Sequence, residues 1–474
     1  MTRTIFLLAG IALLLPALAE AQLGTELSPE VRDRYARVSV PAFVLRDVTL
    51  VDGTGAPPLR GVSVAVEDGR ITQVGADVEV PPGADLLTYS GHTLIPGLVG
   101  LHDHMFYTAA GGRAAQLSFT GPRLYLGSGV TTIRTTGSRA PYAEINMKAE
   151  IEAGRMAGPR IHITAPYITG GTGNTGMTLL DSPEQARRFV AYWSEEGATW
   201  LKAYTNIRRA EMAAVIDEAR RRGVRVTGHI CSITFSEAVE LGIDNIEHGL
   251  LASTDYHPAK QPDDCPEGNR AGIETLDVQG PEVEYTFRRM IDAGVSMTST
   301  LAVYELFVPG RPTRDARSLD AMAPEVREAY LAERARIDTA RNPSVTLEAY
   351  RNAMAYERRF VEMGGLLANG VDPTGNGGAL PGYGDQRGVE LLVEAGFSFP
   401  EAIRIASLNG ARILGVDDEL GSIEPEKIAD MVLLRGEPSG DPSIIRNTVL
   451  VFKDGVGYDS GTLLGEVEGL VGIR

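Results

Sequence analysis

"GLVGLHDHMFY", residues 97–107, sets two histidines one residue apart behind an apolar, glycine-punctuated run, in a chain with seven histidines in all. In a strand, side chains at i and i+2 point to one side, so His102 and His104 share a face while Asp103 faces away. One strand can thereby offer two imidazoles to a single metal ion. The competing reading is a polar strand end with two solvated histidines, and the rest of the chain must decide.

Outward from this stretch, β-like apolar runs alternate with amphipathic helical ones. Besides 94–104, the strand candidates are "GVTTIRTTG" (129–137), "RIHITAPYI" (160–168), "ATWLKAYT" (198–205), "RVTGHI" (225–230), "NIEHG" (245–249), "VSMTSTLAV" (295–303) and "LLANGVD" (366–372). Helix signals lie between them. Ser182-Pro183-Glu184-Gln185 supplies an N-cap, a proline at the first helical position and a capping partner at the third, and Gly223 stops "AEMAAVIDEARRR". Eight strands alternating with helices predict an α/β fold, a (β/α)8 TIM barrel, with its reactive groups at the C-terminal strand ends. The alternative is an open doubly wound sheet, but no G-x-G-x-x-G opens a helix after a first strand.

Both flanks of this region read as β. "FVLRDVTLVDG" (43–53) precedes "VSVAVEDGRITQVG" (62–75), whose Asp68-Gly69 suits a type I′ hairpin, and "IADMVLL" (428–434) and "VLVFKDG" (449–455) close the chain. The expected organisation is a leader (1–21), an N-terminal polar segment (22–42), the barrel (97–418) and one small β-sandwich domain built from both ends (43–96 and 419–474).

The chain has 474 residues, with 54 Gly and 27 Pro that follow no G-X-Y period, which fits many turns between short elements and excludes a collagen-like chain. "MTRTIFLLAGIALLLPALAEA" (1–21) has an early arginine, an apolar core and small residues at Ala19 and Ala21, the pattern of a secretory signal peptide. An exported, periplasmic or secreted protein is therefore expected, with no membrane partner once the leader is removed. The formal net charge of −17 makes nucleic acid and anionic membranes poor partners. A homo-oligomer is left open. Two cysteines, Cys231 and Cys265, allow one disulfide in an oxidising compartment, though Cys231 reads equally well as a buried thiol.

Against this framework, His102 and His104 end strand 1, Lys202 lies in strand 4, and His229, His248 and Asp372 end strands 5, 6 and 8. Six metal-capable or titratable residues thus fall at one rim of the predicted barrel. Each alone has an ordinary structural reading. Together they point to a metal site.

With "IPGLVGLHDH", "WLKAY", "GH" (228–229), "IEHG" (246–249), "GVD" (370–372) and "GSIEPEKIADMVLL", the sequence resembles the metal-dependent amidohydrolase superfamily, in particular its imidazolonepropionase-like and Xaa-Pro dipeptidase-like branch. The resemblance implies a barrel with a flanking β-sandwich and two divalent metal ions bridged by a carboxylated lysine, Lys202. It implies further that His102, His104 and Asp372 hold the more buried ion and that His229 and His248 hold the other. Imidazole and carboxylate donors suit zinc. A protonated Lys202 between two cations would be repelled, whereas CO2 addition makes it an anion. The activity implied is hydrolysis of an amide or peptide-like C–N bond, in a dipeptide or N-acyl amino acid, by a hydroxide bridging the ions. Asp372 would carry the proton to the leaving amine, and Tyr204, two residues after Lys202, is a candidate donor to the developing oxyanion or to a substrate carboxylate. Val371 and Thr135 depart from the hydroxyl and the aspartate common at those positions in relatives.

The small-molecule substrate should meet the loops "TGGTGNTGM" (169–177), "LLASTDYHPAKQPDDCPEGNR" (250–270) and "PTGNGGALPGYGDQRG" (373–388), which makes Tyr256, His257, Tyr383 and Arg387 candidate contacts. Two alternatives remain at this level. One is a hydrolase of cyclic amides, carbamates or esters. The other is a non-catalytic exported protein that binds a metal or ligand on the same fold.

Overall fold

Eight short parallel strands stand where the sequence predicts them, in a computed structural model that describes residues 26–171, 176–311, 315–438 and 440–472. They are β1 (Leu98–Asp103), β2 (Val130–Thr135), β3 (Arg160–His162, resumed at Ile168–Thr169), β4 (Trp200–Ala203), β5 (Arg225–Gly228), β6 (Asn245–Glu247), β7 (Ser296–Ser299) and β8 (Leu367–Asn369). β1, β2 and β3 pair in order, as do β4 to β8. β3 reaches β4 through Ala165 N–H to Trp200 C=O (3.0 Å) and the pairing of Ile168 with Ala203. β8 meets β1 where Asp372 N–H donates to His102 C=O at 2.8 Å. A Cβ at Gly370 would lie 2.4 Å from the His102 nitrogen, so glycine is what lets these two strands close the ring. The result is a (β/α)8 barrel with every C-terminal strand end at one rim.

Two predicted runs are shortened by packing. Residues 295–303 are strand only over Ser296–Ser299, and Leu301–Glu305 is helical and buried, because a continuous apolar run serves a buried strand and a buried helix equally. The run 94–104 is two strands. His92–Pro96 pairs with Met431–Arg435 in the terminal sheet, and beyond Gly97 the chain enters the barrel as β1.

The two ends of the chain build a nine-stranded sheet around its own core, with Phe43 and Phe452 stacked at 5.2 Å among Leu45, Val64, Leu94 and Met431. Asp68 (φ 48°) and Gly69 (φ 79°) make the expected hairpin turn. Residues before Ala42 also take part. Ser28 caps the helix Pro29–Tyr35, which buries Val31 and Tyr35 four residues apart, and Ala36–Val38 pairs antiparallel with Val456–Asp459. The polar composition of residues 22–42 hides that short amphipathic pattern. The leader (1–21) lies outside the described residues, as do positions 172–175 of the loop 169–177.

Between β3 and β4, Ser182 caps the helix Pro183–Glu195 through Gln185 N–H, while the Gln185 side chain accepts from Asp181 N–H at 2.9 Å. Cys231 and Cys265 are joined by a disulfide with a Cα separation of 5.0 Å. It ties the long loop after β6 to the end of β5. No helix among the described residues is long and apolar enough to cross a membrane.

Candidate metal centre

At the C-terminal rim, one ligand atom from each of His102, His104 and Asp372 lies within 4.8 Å of the others. Asp372 Oδ2 is 3.7 Å from His102 Nε2, and its Oδ1 is 3.5 Å from His104 Nε2. The His248 ring centre stands 4.5 Å from that of His102 and 4.3 Å from that of His229, so all four imidazoles form one cluster. Lys202 Nζ, fully buried, has no hydrogen-bond partner among the described residues and lies 3.9 Å from Glu247 Oε1. An orphaned amine beside imidazole and carboxylate donors is what a ligand set for a cation looks like from the protein side. All six residues predicted at the rim are brought together there.

Three rings are fixed through Nδ1. His102 Nδ1 is 2.7 Å from Glu247 Oε2, His104 Nδ1 is 3.2 Å from the Gly137 carbonyl, and His248 Nδ1 is 2.7 Å from Thr300 Oγ1. This turns Nε2 of His102 and His104 toward Asp372, as partners behind a metal-binding histidine do. Tyr167 places its hydroxyl 3.2 Å from His104 Nε2. Glu247 is itself held: Arg134 Nη2 donates to it at 2.6 Å, and Thr227 donates as well. Arg134, fully buried over the Trp200 ring at 4.5 Å, also donates from Nε to Leu101 C=O at 2.8 Å.

Sequence reasoning missed Glu247, and the backbone explains why. Strand alternation sends neighbours to opposite faces, so Glu247 should face away from His248. His248, however, has φ 70°, in the left-handed region, and this turn brings both side chains to the His102 ring. Asp372 is likewise left-handed at φ 48°. Such a conformation costs a non-glycine residue about 1–2 kcal/mol. Here His248 N–H to Thr298 C=O (2.9 Å) and Asp372 N–H to His102 C=O hold it. Strain kept by the surrounding structure is typical of functional sites.

Electrostatics favour neutral donors and an ionised acceptor. Burial, then the Lys202 charge, lowers His102 and takes His229 down to about 3; burial and the neighbouring imidazoles hold His248 well below its ordinary value. Burial takes the Lys202 amine down to about 8 against the pull of Glu247 and Asp372. For Asp372 burial disfavours the charge, but His102 and His104 outweigh it and hold the carboxyl below its ordinary range. Burial raises the Tyr204 hydroxyl, which stays protonated as a donor.

The centre opens into a cavity of about 300 Å³ lined by Tyr204, Tyr167, Arg139, Arg270, Tyr304 and the ligand cluster. Four predicted contacts are not brought to it. Tyr256 and His257 line an outer hollow with Asp255 and Tyr285; the Tyr256 hydroxyl lies 3.2 Å from that of Tyr356, and His257 Nε2 is 3.2 Å from the Gly268 carbonyl. Tyr383 lies beneath the Arg317 guanidinium at 4.6 Å. Arg387 pairs with Glu305 at 2.8 Å and Glu390 at 2.7 Å. Both line a separate hollow. Their loops follow strands 6 and 8 as expected, but packing partners elsewhere in the chain, which no local pattern specifies, turn these side chains away from the cavity.

Residues 93–297 and 380–457 match the sequence model of the Amidohydrolase family. The imidazolonepropionase of Symbiobacterium thermophilum is 24% identical over 396 residues, 80% of this chain and 85% of that protein. The dihydroorotase of Mycobacterium tuberculosis is 48% identical over 44 residues, so the chain spans about 10% of that relative's length. Among solved structures, a candidate prolidase of Bifidobacterium longum superposes with a TM-score of 0.63 at 26% identity, over 90% of this chain and 99% of that one. A Xaa-Pro dipeptidase with methionine in its active site superposes at 0.65 and 20% identity, over 88% of this chain and 100% of that one.

Proposed function

Because the chain belongs to the amidohydrolase family, we propose that it is a metal-dependent hydrolase of an amide or peptide-like C–N bond, acting on a small molecule such as a dipeptide or an N-acyl amino acid. The observation that carries this reading is the convergence of His102, His104 and Asp372 within 4.8 Å beside the orphaned amine of Lys202. His102, His104 and Asp372 would hold one divalent ion, His229 and His248 a second, with zinc suited to both donor sets. Such ions supply an acidified water as nucleophile and a Lewis-acid contact for the scissile carbonyl.

The chain's own groups do the rest. With its pKa brought down to about 8, Lys202 has a share of free amine near neutral pH. That amine can add CO2, forming an N–C bond and releasing one proton, and the resulting carbamate oxygens would bridge the two ion positions. Glu247 and Gly137, which can only accept, keep His102 and His104 in one tautomer, and Thr300 holds the orientation of His248. Asp372, ionised in the fold, takes the proton of the attacking water and returns it to the leaving amine. Tyr204, protonated and facing the cavity, donates to the oxyanion that develops on the carbonyl.

Export is part of the same reading. The Cys231–Cys265 disulfide suits an oxidising compartment and agrees with the leader pattern at the N-terminus.

The test is hydrolysis of a panel of dipeptides and N-acyl amino acids before and after chelation. The reading expects turnover that chelation abolishes and Zn²⁺ restores. Metal binding without turnover on any amide would instead favour a binding protein on the same fold.

A further inference from the structure

The cavity above the candidate metal centre has a charge opposite to that of its protein. The chain carries a formal net charge of −17, yet the cavity lining holds two guanidinium groups, Arg139 and Arg270, against one native carboxylate, Asp372, and the carbamate that Lys202 would form. Two divalent ions would tip this balance to a positive excess. Neither arginine makes an ion pair with any described residue. Arg270 Nε donates to Leu251 C=O at 3.0 Å, and its guanidinium stands over the Tyr304 ring at 5.2 Å. Arg139, exposed at the mouth, stands over Phe106 at 5.3 Å. Cations left unpaired in a concave site draw anions to it.

The two guanidinium groups also meet the cluster through different rings. Arg139 follows β2 and Arg270 sits in the loop after β6, and these two strands are four apart in the ring of eight. Each rests on an aromatic ring that packs on a different part of the ligand cluster. Phe106 lies 4.5 Å from the His104 ring, and Tyr304 lies 5.5 Å from the His248 ring. The cluster is therefore flanked by one cation on the His104 side and another on the His248 side. The disulfide at Cys265, five residues before Arg270, anchors the second arm.

We propose that the substrate is a dianion with one carboxylate on each side of the scissile amide: an N-acyl amino acid whose acyl chain ends in a second carboxylate. Arg139 and Arg270 each take one carboxylate and are specificity residues. The inference rests on the amide-hydrolase reading and narrows it. A free dipeptide brings an ammonium group toward one of the two cations and is disfavoured. Met177, Val303 and Phe307 line the same cavity and accommodate the apolar parts of such a molecule.

The test compares four amides on the full metal-loaded chain: glutaryl-phenylalanine, pentanoyl-phenylalanine, glutaryl-phenethylamine and pentanoyl-phenethylamine. They differ only in which carboxylates they carry. In the wild type, kcat/KM should fall about tenfold or more for each carboxylate removed, mainly through KM, as loss of a charge-assisted hydrogen-bond pair predicts. Arg139→Met and Arg270→Met should each lose a similar factor on the dianion, and each should lose nothing further on the substrate that lacks its own carboxylate. Equal kcat/KM on all four amides would overturn the proposal while leaving the hydrolase reading intact. So would variants that lose the same factor on every substrate. If no amide is hydrolysed, the hydrolase reading falls, and calorimetry then decides on recognition alone. Tighter binding of the dianion than of the neutral amide, lost in both variants, keeps the charge assignment; equal binding ends it.

Discussion

The central cavity and the hollow beside helix Tyr383–Glu394 both carry arginine, aspartate and tyrosine side chains and differ in what they leave unpaired. In the hollow, Arg387 pairs with Glu305 (2.8 Å) and Glu390 (2.7 Å), and Arg446 with Glu390 and with Asp315 (3.8 Å), so each of these charges is answered within the protein. In the cavity, Lys202 Nζ has no hydrogen-bond partner, and Arg139 and Arg270 make no ion pair among the described residues. Charges answered internally hold the fold together, and charges left open are there for something that arrives. Arg387, in the sequence a candidate substrate contact or an anchor of its own loop, belongs to the first kind.

Asp372→Asn should break the cavity side of this comparison most severely. On the proposed roles of Asp372 as metal donor and proton carrier, kcat is expected to fall by about 10³-fold or more, measured on whichever amide the wild type cleaves. Glu247→Gln removes no ligand but loosens the His102 ring and unpairs buried Arg134. Metal affinity should fall about 10- to 100-fold, read by competition with a chromogenic chelator, and excess metal should restore part of the activity. Arg387→Met tests the other side. Stability should drop by about 1–3 kcal/mol in denaturant unfolding, because Glu305 loses a buried partner, while kcat/KM per folded molecule stays unchanged. A large change in KM instead would return Arg387 to the substrate site.

A smaller effect concerns Glu357, which burial raises from 4.5 to about 8. A carboxyl kept neutral in the fold contributes stability that is complete below the unfolded value and is lost as pH rises toward the folded one. The Glu357 contribution to thermal stability should therefore decline from about pH 5 to about pH 8, and Glu357→Gln should lose less stability over that window than the wild type does. Parallel pH profiles of melting temperature in the two proteins would contradict the assignment.

The same contrast explains what was legible in the sequence. Eight apolar runs with helices between them, and polar residues of metal-binding type at their ends, fix the barrel and the positions of His102, His104, Lys202, His229, His248 and Asp372, because strand direction alone carries those side chains to one rim. Glu247 was hidden because a left-handed residue breaks the alternation that sequence reading assumes. Arg134 stands out in the sequence only as the neighbour of Thr135, where relatives differ, and its bond to Glu247 joins β2 to β6 across the barrel interior. Tyr256, His257, Tyr383 and Arg387 lie on or near loops at the rim, as expected, yet their directions are set by partners such as Tyr356 and Glu305, from 82 to 100 residues away in sequence.

The most direct test of a lysine-bridged metal centre is the metal content per chain of the purified wild type beside that of Lys202→Ala, both folded and equilibrated with Zn²⁺ and bicarbonate. Two ions in the wild type and fewer in the variant, with amide hydrolysis lost alongside, is the predicted result. Equal metal content in the two proteins, with hydrolysis unchanged, would contradict a bridging role for the orphaned amine.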